Sequence, residues 1–430
     1  MYSGVSGLRV HQTKMDVIGN NIANVNTIGF KSSSVSFSDV FYQTLQGASG
    51  ANPETGSAGT NAKQIGLGAN VSAISTNMSE GASQRTDNTL DMKINGDGFF
   101  VVSSAGEFLF TRAGSFDIDG AGNLATPDGL PVMGWQPNGT TGEIEKGTVS
   151  AIEILTPKNM YAEPALTTDC TVSGNIDKND AQLLSTGVPF AIEMYDSLGY
   201  KYTMQYSIKS DATDPNQFIF AIGAITDSQG NALTSTATPA SISIPFDPST
   251  GKIAATTPSQ LDITGLEDIT GFSKLAATLS VDFGQLTMFA GKTAIEPGRG
   301  DRQGLGNGRA AGTMSGYSIG DDGKITARYT NGQQKLLGQI VVATFANPAG
   351  LEKQGSNLFS ATVNSGEFDS IGDDPKAAGG SLTAGVIEMS NVDLSKEFTE
   401  MITTQRGFQA NSRIITTSDE ILQELVNLKR

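Results

Sequence analysis

The chain has 430 residues and a formal net charge of −16, from 44 acidic and 28 basic side chains. That balance leaves no basic face to spare for phosphates and argues against nucleic-acid binding. The one cysteine, Cys170, excludes both an internal disulfide framework and a multi-thiolate metal site. Charged residues make up only 17 % while glycines number 51, a composition that suits β-sheet and turns and leaves room for two to four domains.

In chain order, residues 1–31 come first. Val5, Leu8, Met15, Ile18, Ile22 and Val25 are separated by steps of 3, 7, 3, 4 and 3. This spacing predicts an amphipathic helix from about Ser3 to Asn26, stopped by Gly29 in the left-handed conformation. The opening Met1-Tyr2-Ser3-Gly4 lacks the basic region of a cleaved signal. Residues 32–75 read as a linker or extended loop, because Gln46–Gly68 is rich in Gly, Ser, Ala, Asn and Thr and carries Pro53.

A first β-domain is expected over 76–165 and again over 306–385, with a second β-domain inserted at 166–305. Met92–Asn95 and Phe99–Val102 read as strands around a glycine turn. Val188–Ile208 holds two strands joined by Asp196-Ser197-Leu198-Gly199, and Asp321-Asp322-Gly323 marks a further hairpin. The apolar run Ile340–Ala343 is far shorter than the ~20 residues that span a bilayer, so no membrane insertion is expected. Gly366–Gly380 reads as a second flexible joint.

The closing segment, 386–430, is a helix with Ser390 and Asp393 as its capping box and Lys429-Arg430 at its end. Leu394, Phe398, Met401, Gln405, Phe408, Ser412, Ile415, Asp419, Leu422, Val426 and Lys429 step by fours and threes, a coiled-coil-like stripe. The fold class expected is α+β: nested β-rich domains, sandwich- or barrel-like, whose N- and C-terminal helices pair as a coiled-coil-like inner domain. The candidate assembly interface sets Leu8, Met15, Ile18 and Ile22 against Met401, Phe408, Ile415 and Leu422. Asn24, with Asn20, Asn21 and Asn26, either bonds between subunits or ends the helix.

Catalytic chemistry is not expected. The one histidine, His11, lies in the amphipathic helix without a neighbouring nucleophile, and no nucleophile elbow, phosphate loop or zinc-protease motif occurs. No metal site and no cofactor are expected. Asp117–Asn123 has its glycine at the wrong position for a calcium loop and reads as a hairpin turn. Arg299-Gly300-Asp301 reads as a loop.

The block Asp16-Val17-Ile18-Gly19-Asn20-Asn21-Ile22-Ala23-Asn24-Val25-Asn26-Thr27-Ile28-Gly29-Phe30-Lys31 resembles the signature of the bacterial flagellar rod and hook proteins. So does the tail around Glu388-Met389-Ser390-Asn391-Val392-Asp393-Leu394 and Gln405-Arg406-Gly407-Phe408-Gln409-Ala410-Asn411-Ser412. Gly96-Asp97-Gly98-Phe99-Phe100 and Thr111-Arg112-Ala113-Gly114 resemble the family's first β-domain, and the domain after Thr168 resembles the second domain of hook-forming members. The resemblance implies a structural subunit of the flagellar hook, a flexible tube that carries motor torque from rod to filament. It also implies a polymer of the chain itself. The implied partners are the distal rod protein, the hook–filament junction proteins, the hook cap protein and the flagellar type III export apparatus. The terminal helices would form an inner tube, with 46–68 and 366–380 as joints between layers. A distal rod subunit is the alternative within the family; a secreted carbohydrate-binding or adhesive β-protein is the alternative outside it.

Overall fold

The computed structural model describes residues 2–428 except 51–55, 57, 140, 234–236, 255–258, 267–274 and 378. Met1, Pro53, Lys429 and Arg430, which entered the sequence reading, lie outside the described residues. Two compact units share the chain: 1–156 with 317–326 and 336–430, and 157–316 with 327–335.

The first unit carries both long helices, Tyr2–Ala23 and Leu394–Leu428. The N-terminal helix ends at the asparagine cluster. Asn24 turns its amide back to the Asn20 carbonyl at 2.9 Å and accepts from the Thr27 hydroxyl at 3.1 Å. Gly29 follows at φ +69°, as its place after the last turn requires, and a Cβ there would lie 2.6 Å from the Ala113 nitrogen. Gly29→Ala is therefore expected to lower monomer stability by roughly 1–3 kcal/mol, read as a shifted denaturation midpoint. The C-terminal helix starts at Leu394 rather than at Ser390. Asp393 alone is its cap, accepting from the Ser395 and Lys396 nitrogens at 2.9 and 3.3 Å.

The segment expected to be a loose loop folds back on itself as a two-stranded ribbon. Ser33–Asp39 pairs with Ala69–Thr76, and Tyr42–Gln46 with Lys63–Gly66, both antiparallel. β-favouring residues such as Val35, Phe37 and Tyr42 suit the pleat better than a flexible tether. The expected joint at 366–380 is also corrected, because its described residues are fastened to the β-body. Val342 and Asp373 exchange backbone hydrogen bonds, and the Asp369 carboxylate accepts from the Ile371 and Gly372 nitrogens. Aspartate turns, not glycine freedom, set its course.

The β-body has a five-stranded sheet in the order Val342–Ala343, Phe99–Ser104, Glu107–Thr111, Leu358–Ser360, Glu352–Gly355. Its core gathers Phe99, Val101, Phe110, Trp135, Val341 and Phe359, with edge-on aromatic contacts such as Phe99–Phe359 at 5.7 Å. Asp117–Asn123 is the expected hairpin turn, closed by the Asp119 carboxylate on the Ala121 and Asn123 nitrogens.

The second unit is a β-sandwich. One sheet orders Gln260–Thr264, Thr278–Thr287, Asp169–Asn175 and Ala294–Arg299; the other holds Val188–Tyr195, Lys201–Ser210, Gln217–Asp227 and Ala232–Leu233, with Ser241–Pro245 also on Gln217–Asp227. Alternate residues from both sheets meet in one core around Val172, Tyr206, Phe218, Phe220 and Phe283. The Asp196 carboxylate closes the expected hairpin by accepting from the Leu198 and Tyr200 nitrogens. Cys170 is buried in this core, where desolvation pushes its thiol up to about 12. Alkylation of Cys170 at pH 8 is expected to be negligible in the folded chain and rapid in denaturant, which a mass-shift time course would read.

Candidate assembly interface

The two helices lie antiparallel. Gly4 faces Ile415 and Asn411, Gly7 faces Asn411, and His11 faces Gly407. Lys14 pairs with Glu400 at 3.1 Å, and the Asn21 amide donates to Glu397 at 3.1 Å. Glycine makes this approach possible: a Cβ on Gly7 would sit 2.6 Å from the Asn411 amide, and one on Gly407 2.7 Å from the His11 ring. Burial and the nearby Lys14 cation hold the His11 pKa below its usual value.

On the C-terminal helix the face turned inward is Glu397, Met401, Thr404, Phe408, Asn411 and Ile415, at steps of 4, 3, 4, 3 and 4. The expected stripe shares Met401, Phe408 and Ile415 with it. Phe398, Gln405 and Ser412 give way to the residues one place earlier. The seam is thus half polar, with Glu397 and Thr404 the two buried residues of this helix. Asn21 explains the shift: its side chain donates to the Ser33 carbonyl and to Glu397 while accepting from the Ser33 nitrogen, tying helix, ribbon and partner helix together.

Of the candidate residues, Ile18 is buried at 3 % exposure, and Leu8, Met15, Ile22, Asn24, Met401, Phe408 and Ile415 are half-buried. Leu422 is not part of the intrachain seam and is 48 % exposed. The register runs out where Gly4 meets Ile415, so the helix continues about three turns without a partner. Phe398 and Ile402 near its start, and Ile421, Leu422, Leu425, Val426 and Leu428 on its final turns, are all exposed. The ribbon adds Phe41, Tyr42, Leu45 and Ile65.

Below the helices lies a buried ionic junction with no counterpart in the sequence reading. Lys31 donates to Glu388 at 2.7 Å and to the Ser79 carbonyl at 2.7 Å. Arg112 reaches the other Glu388 oxygen at 3.5 Å and the Gly96 carbonyl at 2.9 Å. The Gly81 nitrogen donates to Glu388, and the Gly29 nitrogen to its carbonyl. Lys31 and Glu388 are each 1 % exposed as side chains. Burial lowers the Lys31 pKa, with Glu388 opposing that shift. Asn391 extends the junction, donating to Asn77 and Ser79 while accepting from the Ser32 nitrogen. Together these groups fasten the end of the N-terminal helix, the foot of the ribbon, the β-body and the start of the C-terminal helix. Lys31 and Glu388 lay inside quoted motifs, but nothing local marks an ion pair 357 residues apart.

Four family profiles match: "Flagella basal body rod protein" over 1–31, "Flagellar hook protein FlgE/F/G D1 domain" over 93–175, "Flagellar basal body protein FlaE D2 domain" over 159–299 and "Flagellar basal body rod FlgEFG protein C-terminal" over 383–428. The flagellar hook protein FlgE of Borreliella burgdorferi is 37 % identical, the alignment covering 100 % of this chain and 99 % of that one. The flagellar hook protein FlgE of Treponema pallidum is 35 % identical, with 100 % and 99 % covered. The flagellar basal-body rod protein FlgG of Bacillus subtilis is 32 % identical, with 100 % and 98 % covered.

Proposed function

The chain belongs to the flagellar rod and hook protein family and is a structural subunit of the flagellar hook, and from that premise we propose that its paired helices are the assembly element. The observation that carries this is the exposed apolar side chains of Leu394–Leu428, densest over its last turns beyond the paired stretch. A helix end that exposes Ile421, Leu422, Leu425, Val426 and Leu428 together needs neighbours, and copies of the same chain supply them. Leu8, Met15, Ile18, Ile22, Met401, Phe408 and Ile415 then hold the pair within each subunit, while Leu422 and the residues around it meet adjacent copies. Asn24 ends the helix within its own chain. The polymer is a tube with the helices innermost and the β-units outside, carrying torque from rod to filament. Its partners are the distal rod protein, the junction proteins, the cap protein and the type III export apparatus.

The buried junction supports a division of mechanical roles within the first unit. Helices bolted to a β-body through Glu388 transmit torsion without slack, so compliance in bending resides in contacts between copies. The chain is assigned no catalytic role, and no helix among its described residues is long and apolar enough to cross a membrane.

A distal rod subunit is the second reading, favoured by the full-length match to a rod protein. Deleting the gene in its flagellated host and imaging the basal bodies separates the two. A complete rod without a hook is the expected result; a rod lacking its distal part would move the protein one segment inward, and intact flagella would overturn both.

A further inference from the structure

The second unit carries a cleft of about 570 Å³, lined by Tyr195, Arg299, Asn307, Arg309, Thr330 and Asn331 together with small residues. Two of its ten lining residues are arginines and none is acidic, in a chain whose acidic residues outnumber its basic ones 44 to 28. Among the described residues neither guanidinium has a carboxylate within ion-pair distance. Asp169, on the strand paired with that of Arg299, accepts from the Thr168 hydroxyl, and Asp196, next to Tyr195, accepts from its own turn.

Both arginines are nevertheless held in place by uncharged neighbours. Arg299 lies over the Tyr195 ring at 4.9 Å. The Gln333 amide lies 3.1 Å from Nε and Nη1 of Arg309 and, with its oxygen toward them, accepts from both. Two positioned forks of donors, flanked by the Asn307 and Asn331 amides and the Thr330 hydroxyl, match the planar acceptor pairs of carboxylates. Among the described residues no carboxylate pairs with either of them.

We propose that this cleft is a carboxylate socket that takes an acidic side chain from a second copy of this chain. The proposal rests on the hook reading, which brings copies into contact, and the acid-rich surface of each copy supplies the charge. A contact that is polar and charge-steered sets which copies meet without gluing them, which leaves contacts between copies free to yield in bending.

The test uses full-length chains polymerised in vitro, wild type against Arg299→Gln/Arg309→Gln. Dissociation of the polymers is followed by light scattering at low salt and at 0.5 M NaCl. The double variant is expected to dissociate roughly tenfold faster at low salt, and the difference to shrink at high salt as screening removes the pair. Monomer melting should be unchanged, and Arg299→Lys/Arg309→Lys should restore part of the effect. Equal dissociation at low salt would overturn the proposal. A blocked Asp-Asp dipeptide that raises the melting temperature of the wild-type monomer but not of the Gln variant, with polymers indistinguishable, would make the cleft a site for free anions instead. Failure of the hook reading would show separately, as a deletion strain whose basal bodies lack the distal rod or whose flagella are intact.

Discussion

Glu388→Ala is expected to lower the stability of the first unit by roughly 3–5 kcal/mol, the cost of breaking a buried ion pair from one side. The substitution leaves Lys31 and Arg112 buried without an anion and strips the Gly81 nitrogen of its acceptor. Neither cation escapes easily, since Lys31 also serves the Ser79 carbonyl and Arg112 the Gly96 carbonyl. Glu388→Gln keeps the shape and an acceptor for Gly81, so it should fall between Ala and wild type. Adding Lys31→Met to Glu388→Gln should recover part of the loss, because one stranded charge goes with it. Trp135, the one tryptophan, lies in the core of this unit and makes its fluorescence a selective probe. Urea titrations followed at Trp135 that superimpose for wild type and Glu388→Ala would show the junction to be ornamental, and with it the claim that torque passes there.

The parts of this molecule legible in sequence are those where local chemistry decides. The aspartate turns at Asp119 and Asp196, the left-handed Gly29 and the two terminal helices follow from side chains acting on their own backbone. The seam was legible by half. Met401, Phe408 and Ile415 satisfy both heptad readings, and the choice between Phe398 and Glu397 as the next inward residue goes against hydrophobicity. Asn21 decides it through contacts across 376 residues, which no window of periodicity contains. Gly4, Gly7 and Gly407 held a usable signal, since small residues on facing helices mark close approach. The ribbon was missed because its polar, glycine-rich middle resembles a tether, whereas its pairing is set by strands flanking that middle. The ionic junction was out of reach for a related reason: an isolated Lys or Glu reads as surface, and only the fold supplies the partner.

Leu425→Asp is expected to abolish polymerisation while leaving the monomer as stable as wild type. At 57 % exposure, beyond the reach of the N-terminal helix, Leu425 contributes little within its own chain, so its loss should cost no more than about 0.5 kcal/mol there. In a tube the same substitution places a carboxylate in every copy of one apolar layer, and burying an unpaired charge is prohibitive at each repeat. Phe408→Asp supplies the contrast. Phe408 lies in the intrachain seam, so this variant should loosen the helix pair in the monomer as well as block assembly, while both β-cores stay folded. Sedimentation of purified chains under polymerising conditions, with monomer melting measured in parallel, separates the two effects. Polymers of normal length from Leu425→Asp would mean that the exposed apolar side of the C-terminal helix is not where copies meet. Loss of polymers from Phe408→Asp alone would confine the assembly role to presenting a correctly paired helix. Loss from both, with only Phe408→Asp altering the monomer, is the pattern that a seam inside the subunit and a separate face between subunits require.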